Sequence, residues 1–171
     1  MKLDYLQALK RVDEARGAWV LHGPEPLLEQ NLLDAFRASW QKQEIERQRY
    51  DISSVSDWKT VFNALNSLSL FSSQLAVEVH GNIKPDAGGL KALKSYLQHN
   101  EQNLLLLVMP KQDSSSLKTA FFQVIDANGV VLASTANQRQ GRHDLPAAAV
   151  ARGVQTRFLH GPYLDSVTQA L

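Results

Sequence analysis

The run Leu104-Leu105-Leu106-Leu107-Val108, bounded by Asn103 and Pro110, limits the possible folds more than any other segment of this chain. A strand with one wet face alternates apolar and polar residues, and this one does not. Such a run belongs in a strand covered on both faces, as in a parallel sheet sandwiched by helices. Other short apolar runs occur at Ala18–His22, Leu75–Val79 and Val130–Ala133, and a further strand is expected over Gln48–Ile52. Helical patterns separate them. Leu3, Leu6, Leu9 and Val12 predict an opening helix stopped by Gly17, and Leu28, Leu32, Phe36 and Trp40 recur at four-residue steps. Ser56 is placed to cap a helix through Trp58, Val61, Phe62 and Leu65. Leu90, Leu93, Tyr96 and Leu97 mark another helix, and Ser114–Ser116 would cap one through Leu117, Phe121, Val124 and Ile125. About five strands alternating with helices predict an α/β fold: an open parallel sheet with helices on both faces.

The expected organisation is an α/β domain over residues 1–137, a linker at 138–143 and the beginning of a helical domain at 144–171. Asp144 is placed to cap a short helix through Leu145, Ala148, Val150 and Ala151, and Tyr163, Val167 and Leu171 start a second pattern without a closing signal. That ending reads as a complete first domain followed by the start of another.

Composition narrows the function classes. The chain has 171 residues, 44% hydrophobic and 20% charged, which suits a folded core. No stretch approaches the roughly 18 apolar residues of a membrane helix, and the opening MKLDYLQALKRVDEA lacks the apolar stretch of a secretory signal. The absence of cysteine excludes disulfides and thiolate zinc sites and suits a cytoplasmic protein. A net charge of +1 does not fit a surface that binds nucleic acid throughout.

The first strand–loop–helix is where such a sheet would hold a phosphate. Aligning Gly23 with the first glycine of G-x-x-x-x-G-K-[ST] puts Leu28 on the second glycine, Glu29 on the lysine and Gln30 on the hydroxyl. Leucine blocks close backbone approach, the carboxylate repels phosphate, and Pro24 and Pro26 each remove an N–H donor. The strands Leu75–Val79 and Leu104–Val108 also end without the acid a magnesium ion would need, and Glu78, in mid-strand, reads as a solvent-facing edge residue. The loop is therefore degenerate, and no nucleotide, metal or other cofactor is expected. His22, His80, His99, His143 and His160 show no metal-ligand spacing, no serine sits in G-x-S-x-G, and Arg139, Arg142 and His143 read as a solvated cluster. One segment stands apart. Ser67-Leu68-Ser69-Leu70-Phe71-Ser72-Ser73 sets large apolar residues among serines between a helix and a strand. Either Leu68 and Leu70 close the helix against the sheet under Phe71, or Leu70 and Phe71 are anchors for a partner's pocket.

Trp19-Val20-Leu21-His22-Gly23-Pro24-Glu25-Pro26-Leu27-Leu28-Glu29 resembles the first strand and degenerate phosphate loop of the bacterial DNA polymerase III delta subunit family. The resemblance continues through Trp58, Ser69-Leu70-Phe71, Leu104–Val108, Leu145-Pro146 and Ala151-Arg152. It implies an AAA+-like P-loop-topology domain, followed by a lid domain that begins within 144–171. It also implies a clamp-loader subunit of the DNA polymerase III holoenzyme that binds and opens the sliding clamp (the beta subunit) without hydrolysing ATP. In the family an adjacent Leu-Phe pair enters a clamp pocket. Carried over, that wedge is Leu70 and Phe71, with Leu68 beside them as a further candidate, and Ser67 replaces the glutamine of the general clamp-binding pentapeptide. Contacts with other loader subunits would run mostly through regions beyond this sequence, and DNA would be met only through the assembled complex. Two alternatives stand beside this reading: a delta-prime-like or other non-hydrolysing loader subunit, and, more distantly, an active P-loop enzyme. Delta-prime commonly carries a four-cysteine zinc module, and this chain has no cysteine.

Overall fold

The computed structural model describes residues 1–67, 72–99 and 103–136. The expected linker at 138–143 and helical segment at 144–171 lie outside the described residues, as do Arg139, Arg142, His143 and His160.

The elements run β1 (Lys2–Asp4), α1 (Tyr5–Arg11), β2 (Ala18–Gly23), α2 (Pro26–Lys42), β3 (Glu46–Asp51), α3 (Asp57–Leu65), β4 (Leu75–His80), α4 (Ala87–His99), β5 (Leu104–Pro110), α5 (Ala120–Ala127) and β6 (Val131–Ser134). The six strands form one sheet in the order β1-β6-β2-β5-β4-β3. Every pairing is parallel. β5 lies between β2 and β4, with Leu105 opposite Ala18 and Val77. Its two faces build two cores. Leu105, Leu107 and Met109 pack with Val20, Val77, Trp58, Val61, Leu93 and Phe121, beneath α3, α4 and α5. Leu104, Leu106 and Val108 pack with Trp19, Leu21, Leu32, Phe36 and Trp40, beneath α1 and α2. On that second side Trp19 meets Phe36 edge-on, with ring centroids 5.2 Å apart. The unalternating apolar run is thus the central, doubly covered strand that its composition requires.

The opening segment folds differently from its leucine spacing. Lys2–Asp4 is a sixth strand, with Leu3 opposite Ala133 of β6. Asp4 then starts the helix: its Oδ1 accepts the Gln7 N–H at 2.8 Å, and Gln7 Oε1 accepts the Asp4 N–H at 3.1 Å. A helix phased from Tyr5 turns Ala8 inward, and Val12 follows it into the core from a short 3-10 turn at Val12–Glu14. Leu6 and Leu9 fall on the outer side, 61% and 38% exposed. Smaller differences follow local hydrogen bonding. β3 begins at Glu46, two residues before its expected start. Ser56 does not cap α3 with its side chain; Asp57 Oδ2 instead accepts the N–H groups of Ser53 and Ser54, each at 2.8 Å. Ser116–Lys118 is a 3-10 turn, and α5 starts only at Ala120.

Glu78 is the main correction. β4 is an inner strand, and the Glu78 side chain, 0% exposed, points toward α2 and not into solvent. Both carboxylate oxygens are saturated. Oε1 accepts Arg37 Nη2 at 2.6 Å and pairs with His80 Nε2 at 2.5 Å. Oε2 accepts Arg37 Nε at 3.2 Å and Arg47 Nη1 at 3.1 Å. Burial alone would raise this carboxyl's pKa, but the bonds from His80, Arg37 and Arg47 outweigh it and hold the group below the usual carboxylate range. The network ties α2 and β3 to β4. Its arginines keep partial access to water, at 26% and 41% exposure, which softens the penalty of removing their partner. A depressed folded-state pKa contributes stability above the unfolded carboxylate value of about 4.3, and that contribution is lost as pH falls below it. Glu78→Gln should therefore cost about 1–3 kcal/mol at pH 7, and its deficit against wild type should shrink steadily from pH 5 toward pH 2 in urea unfolding. A deficit independent of pH would contradict the assigned charge state.

Candidate functional site

The carboxyl edge of a parallel sheet is where ligands usually bind, and here it gathers the ends of four strands. β2 ends at Gly23 opposite Pro110 of β5, His22 lies opposite Ser134 of β6, and β4 ends at His80. The loop after β2 runs into α2 through Glu25, with Pro26 as the first helical residue. Pro26 has no N–H, and the Glu29 N–H is already bonded to the Glu25 carbonyl at 3.0 Å, so few amides of this helix end remain for an anion.

Each loop position is occupied by something other than phosphate chemistry. A Cβ on Gly23 would stand 2.1 Å from Thr135 Oγ1 and 2.8 Å from the Thr135 backbone nitrogen, so the glycine is required by the chain packed against it after β6. The Thr135 N–H donates to the His22 carbonyl at 2.9 Å, which seals that contact. Leu28, in the first turn of α2, is half-buried, and Gln30 donates to Asp34 Oδ1 at 2.8 Å. Glu29 lies in the first turn of α2. Burial pushes its carboxyl above the usual range, and the His80 imidazole opposes that rise. Burial likewise pushes the His22 imidazole down, favouring the neutral ring. Among the described residues, His22 Nδ1 and Thr135 Oγ1 are buried without hydrogen-bond partners, and no group of three His, Asp or Glu side chains is placed to hold a metal ion. His99, at the other end of the sheet's helices, only approaches the Ser95 carbonyl of its own helix.

The second candidate segment contains Leu68, Leu70 and Phe71, which lie outside the described residues; its two stems are described. The leading stem ends at Ser67, whose N–H and Oγ both bond the Ala64 carbonyl, at 3.0 Å and 2.8 Å. On the returning stem, Ser72 Oγ accepts the Glu46 N–H at 3.2 Å and donates to the Gln74 carbonyl. Between the stems lies Asn103, the residue just before β5, and its backbone carbonyl accepts the Tyr96 hydroxyl at 2.8 Å. Asn103 carries no periodic signal, since a lone asparagine before an apolar run reads simply as a strand boundary. Its side-chain bonds span up to 38 positions in sequence. A separate groove of about 670 Å³ lies between α3 and α4, walled by Val55, Trp58, Phe62, Gly89 and Ala92. Lys59 and Asp86 at its rim are its charged groups.

A family model described as "DNA polymerase III, delta subunit" matches residues 19–134, which is more than half of the chain. Among solved structures, the chain is similar to the DNA clamp loader delta protein of Bacillus subtilis, with a TM-score of 0.60 at 13% identity over 80% of this chain. It is also similar to a DNA polymerase III gamma subunit-related protein of Thermotoga maritima, with a TM-score of 0.54 at 14% identity, again over 80% of this chain. The matches cover 44% and 48% of those two chains, so this chain spans less than half the length of either. At such identities the likeness establishes the fold alone, a parallel sheet covered by helices. Among curated proteins no match was found. The family match runs from Trp19 in β2 to Ser134 at the end of β6, taking in the degenerate loop and both stems of the segment after α3, and on that basis this chain belongs to the DNA polymerase III delta subunit family.

Proposed function

We propose that this chain acts as the delta-type subunit of a clamp loader, binding the sliding clamp and favouring its opened state without hydrolysing ATP. The observation that carries the reading is the family match across residues 19–134, which includes the segment Ser67–Phe71. In this reading residues 1–137 are the AAA+-like domain, 138–143 a linker and 144–171 the start of the lid. The wedge is Leu70 and Phe71, with Leu68 next to them. Two adjacent apolar side chains entering a pocket can supply most of the affinity of a small contact. They open the clamp only to the extent that they bind its sprung interface better than its closed one. The work is mechanical: binding energy shifts a population, and no bond is made or broken by this chain.

Several features support the lack of nucleotide chemistry. Glu29 stands where a phosphate-contacting lysine would, Pro26 removes a donor, and Thr135 fills the space beside Gly23. The carboxylate of Glu78 is committed to two arginines and a histidine, which leaves it unsuited to a magnesium ion. The other loader subunits are the remaining partners, with DNA met through the assembled complex in the cytoplasm. No described helix is long and apolar enough to cross a membrane.

Replacing both anchors, Leu70→Ala with Phe71→Ala, should weaken binding to a bacterial sliding clamp by about 30-fold or more, the equivalent of about 2 kcal/mol. The thermal melt of the chain should stay within a degree or two of wild type. Wild-type clamp affinity in that double variant, measured by surface plasmon resonance, would sink the assignment. Calorimetric titration with magnesium-ATP should show no saturable binding into the millimolar range, and micromolar affinity or any phosphate release would point to an active nucleotide enzyme instead.

A further inference from the structure

Asn103 makes more directed bonds between different elements than a strand boundary requires. Its side-chain Nδ2 donates to the Leu65 carbonyl at 2.8 Å and to the Ser67 carbonyl at 3.1 Å, both at the end of α3. Its Oδ1 accepts the Leu75 N–H, at 3.1 Å, at the start of β4. The residue is 6% exposed, so these bonds form where water competes little. Two of the three groups it serves lie at the ends of elements. Leu65 is the last residue of α3, where helix carbonyls lose their intrahelical partners. Leu75 lies one residue ahead of the β4–β5 ladder, which starts at Ala76 opposite Leu104. The asparagine side chain thus takes the place of the missing rung and, through its other end, holds the helix terminus.

The segment between those two anchor points is residues 66–74, and it contains Leu68, Leu70 and Phe71. We infer that Asn103, steadied by Tyr96, is a positioning residue that fixes the spacing of the two stems and so presents Leu70 and Phe71 to the clamp at a low ordering cost; this rests on the clamp-binding reading above. The Tyr96 hydroxyl bonds the Asn103 backbone carbonyl from α4, and Ser72 ties the returning stem to the start of β3. Four elements thereby hold the two stems, which a bare helix–strand connection would hold at two points. A loop fixed at its base loses less conformational entropy when its apolar tip is captured, and binding gains from that preorganisation. When only a fraction of molecules hold the competent arrangement, the apparent dissociation constant rises by the inverse of that fraction. The asparagine therefore acts on affinity without touching the partner.

The test uses the full chain, a bacterial sliding clamp and three variants: Asn103→Ala, Tyr96→Phe and the Leu70→Ala/Phe71→Ala double variant. Affinity is measured at a temperature where each is folded, alongside hydrogen exchange of peptides covering 66–75, β2 and β5. Asn103→Ala should weaken clamp binding about 10-fold and Tyr96→Phe about 3-fold, the scale of one or two lost buried hydrogen bonds. Exchange should accelerate over 66–75 while β2 and β5 keep their protection. A purely structural role would speed exchange everywhere, and that result overturns the inference. Tyr96→Phe removes one hydroxyl and carries the test if Asn103→Ala does not fold. Wild-type affinity in the folded Asn103 and Tyr96 variants, together with lost affinity in the double variant, defeats the positioning role and leaves the wedge intact. Wild-type affinity in the double variant defeats the wedge itself, and the positioning role with it.

Discussion

The structure depends first on a strand that has no wet face. From Leu104 to Met109 every side chain of β5 is buried, the odd positions under α3, α4 and α5 and the even ones under α1 and α2. Each large apolar side chain so buried contributes about 1.5–3 kcal/mol relative to exposure, so neither helical layer can be lifted without exposing part of this strand. Parallel neighbours follow from the same constraint, because helical crossovers are what cover both faces of a sheet. β2 and β4 flank it and carry the loop after Gly23 and the stem at Leu75. The two segments of functional interest are therefore set by the strand that separates them.

At the carboxyl edge the same topology that elsewhere cradles phosphate has been given to packing and charge pairing. Gly23 exists to let Thr135 approach, and Gly81 similarly faces the Ile52 carbonyl, 2.7 Å from where its Cβ would stand. The helix that would point free amides at an anion begins with proline and carries a carboxylate in its first turn. Glu78 engages Arg37 and Arg47, cations that could otherwise have drawn an anion to this side of the sheet. These side chains sit on a backbone plan that elsewhere serves phosphate binding, an instance of one fold carrying different sites.

Much of this was legible along the chain. The continuous run of β5, the four-residue steps of α2 and the strand–helix alternation depend on neighbours a few residues apart, and the described elements follow them. The degenerate loop was legible too, since a template with fixed spacing needs no structure to be tested. The first twelve residues were misleading because three-residue leucine steps look helical whichever residue starts the helix. Asp4 supplies the start, and the strand before it forms only because β6, more than 125 residues later, offers it a partner. Glu78 misled for a related reason. A carboxylate in mid-strand belongs at an edge unless cations reach it, and Arg37 and Arg47 come from two other elements.

By itself, then, the sequence determined the class of fold, the central strand and the absence of phosphate-binding residue types, because period, run length and spacing are local properties of a chain. Only the tertiary structure decided that Glu78 is buried and paired, that Thr135 accounts for Gly23, and that Asn103 joins the stems on either side of residues 68–71. Those outcomes rest on hydrogen bonds and contacts between groups tens of residues apart, which exist only once β5 has brought α3, β4 and β6 to their places around it.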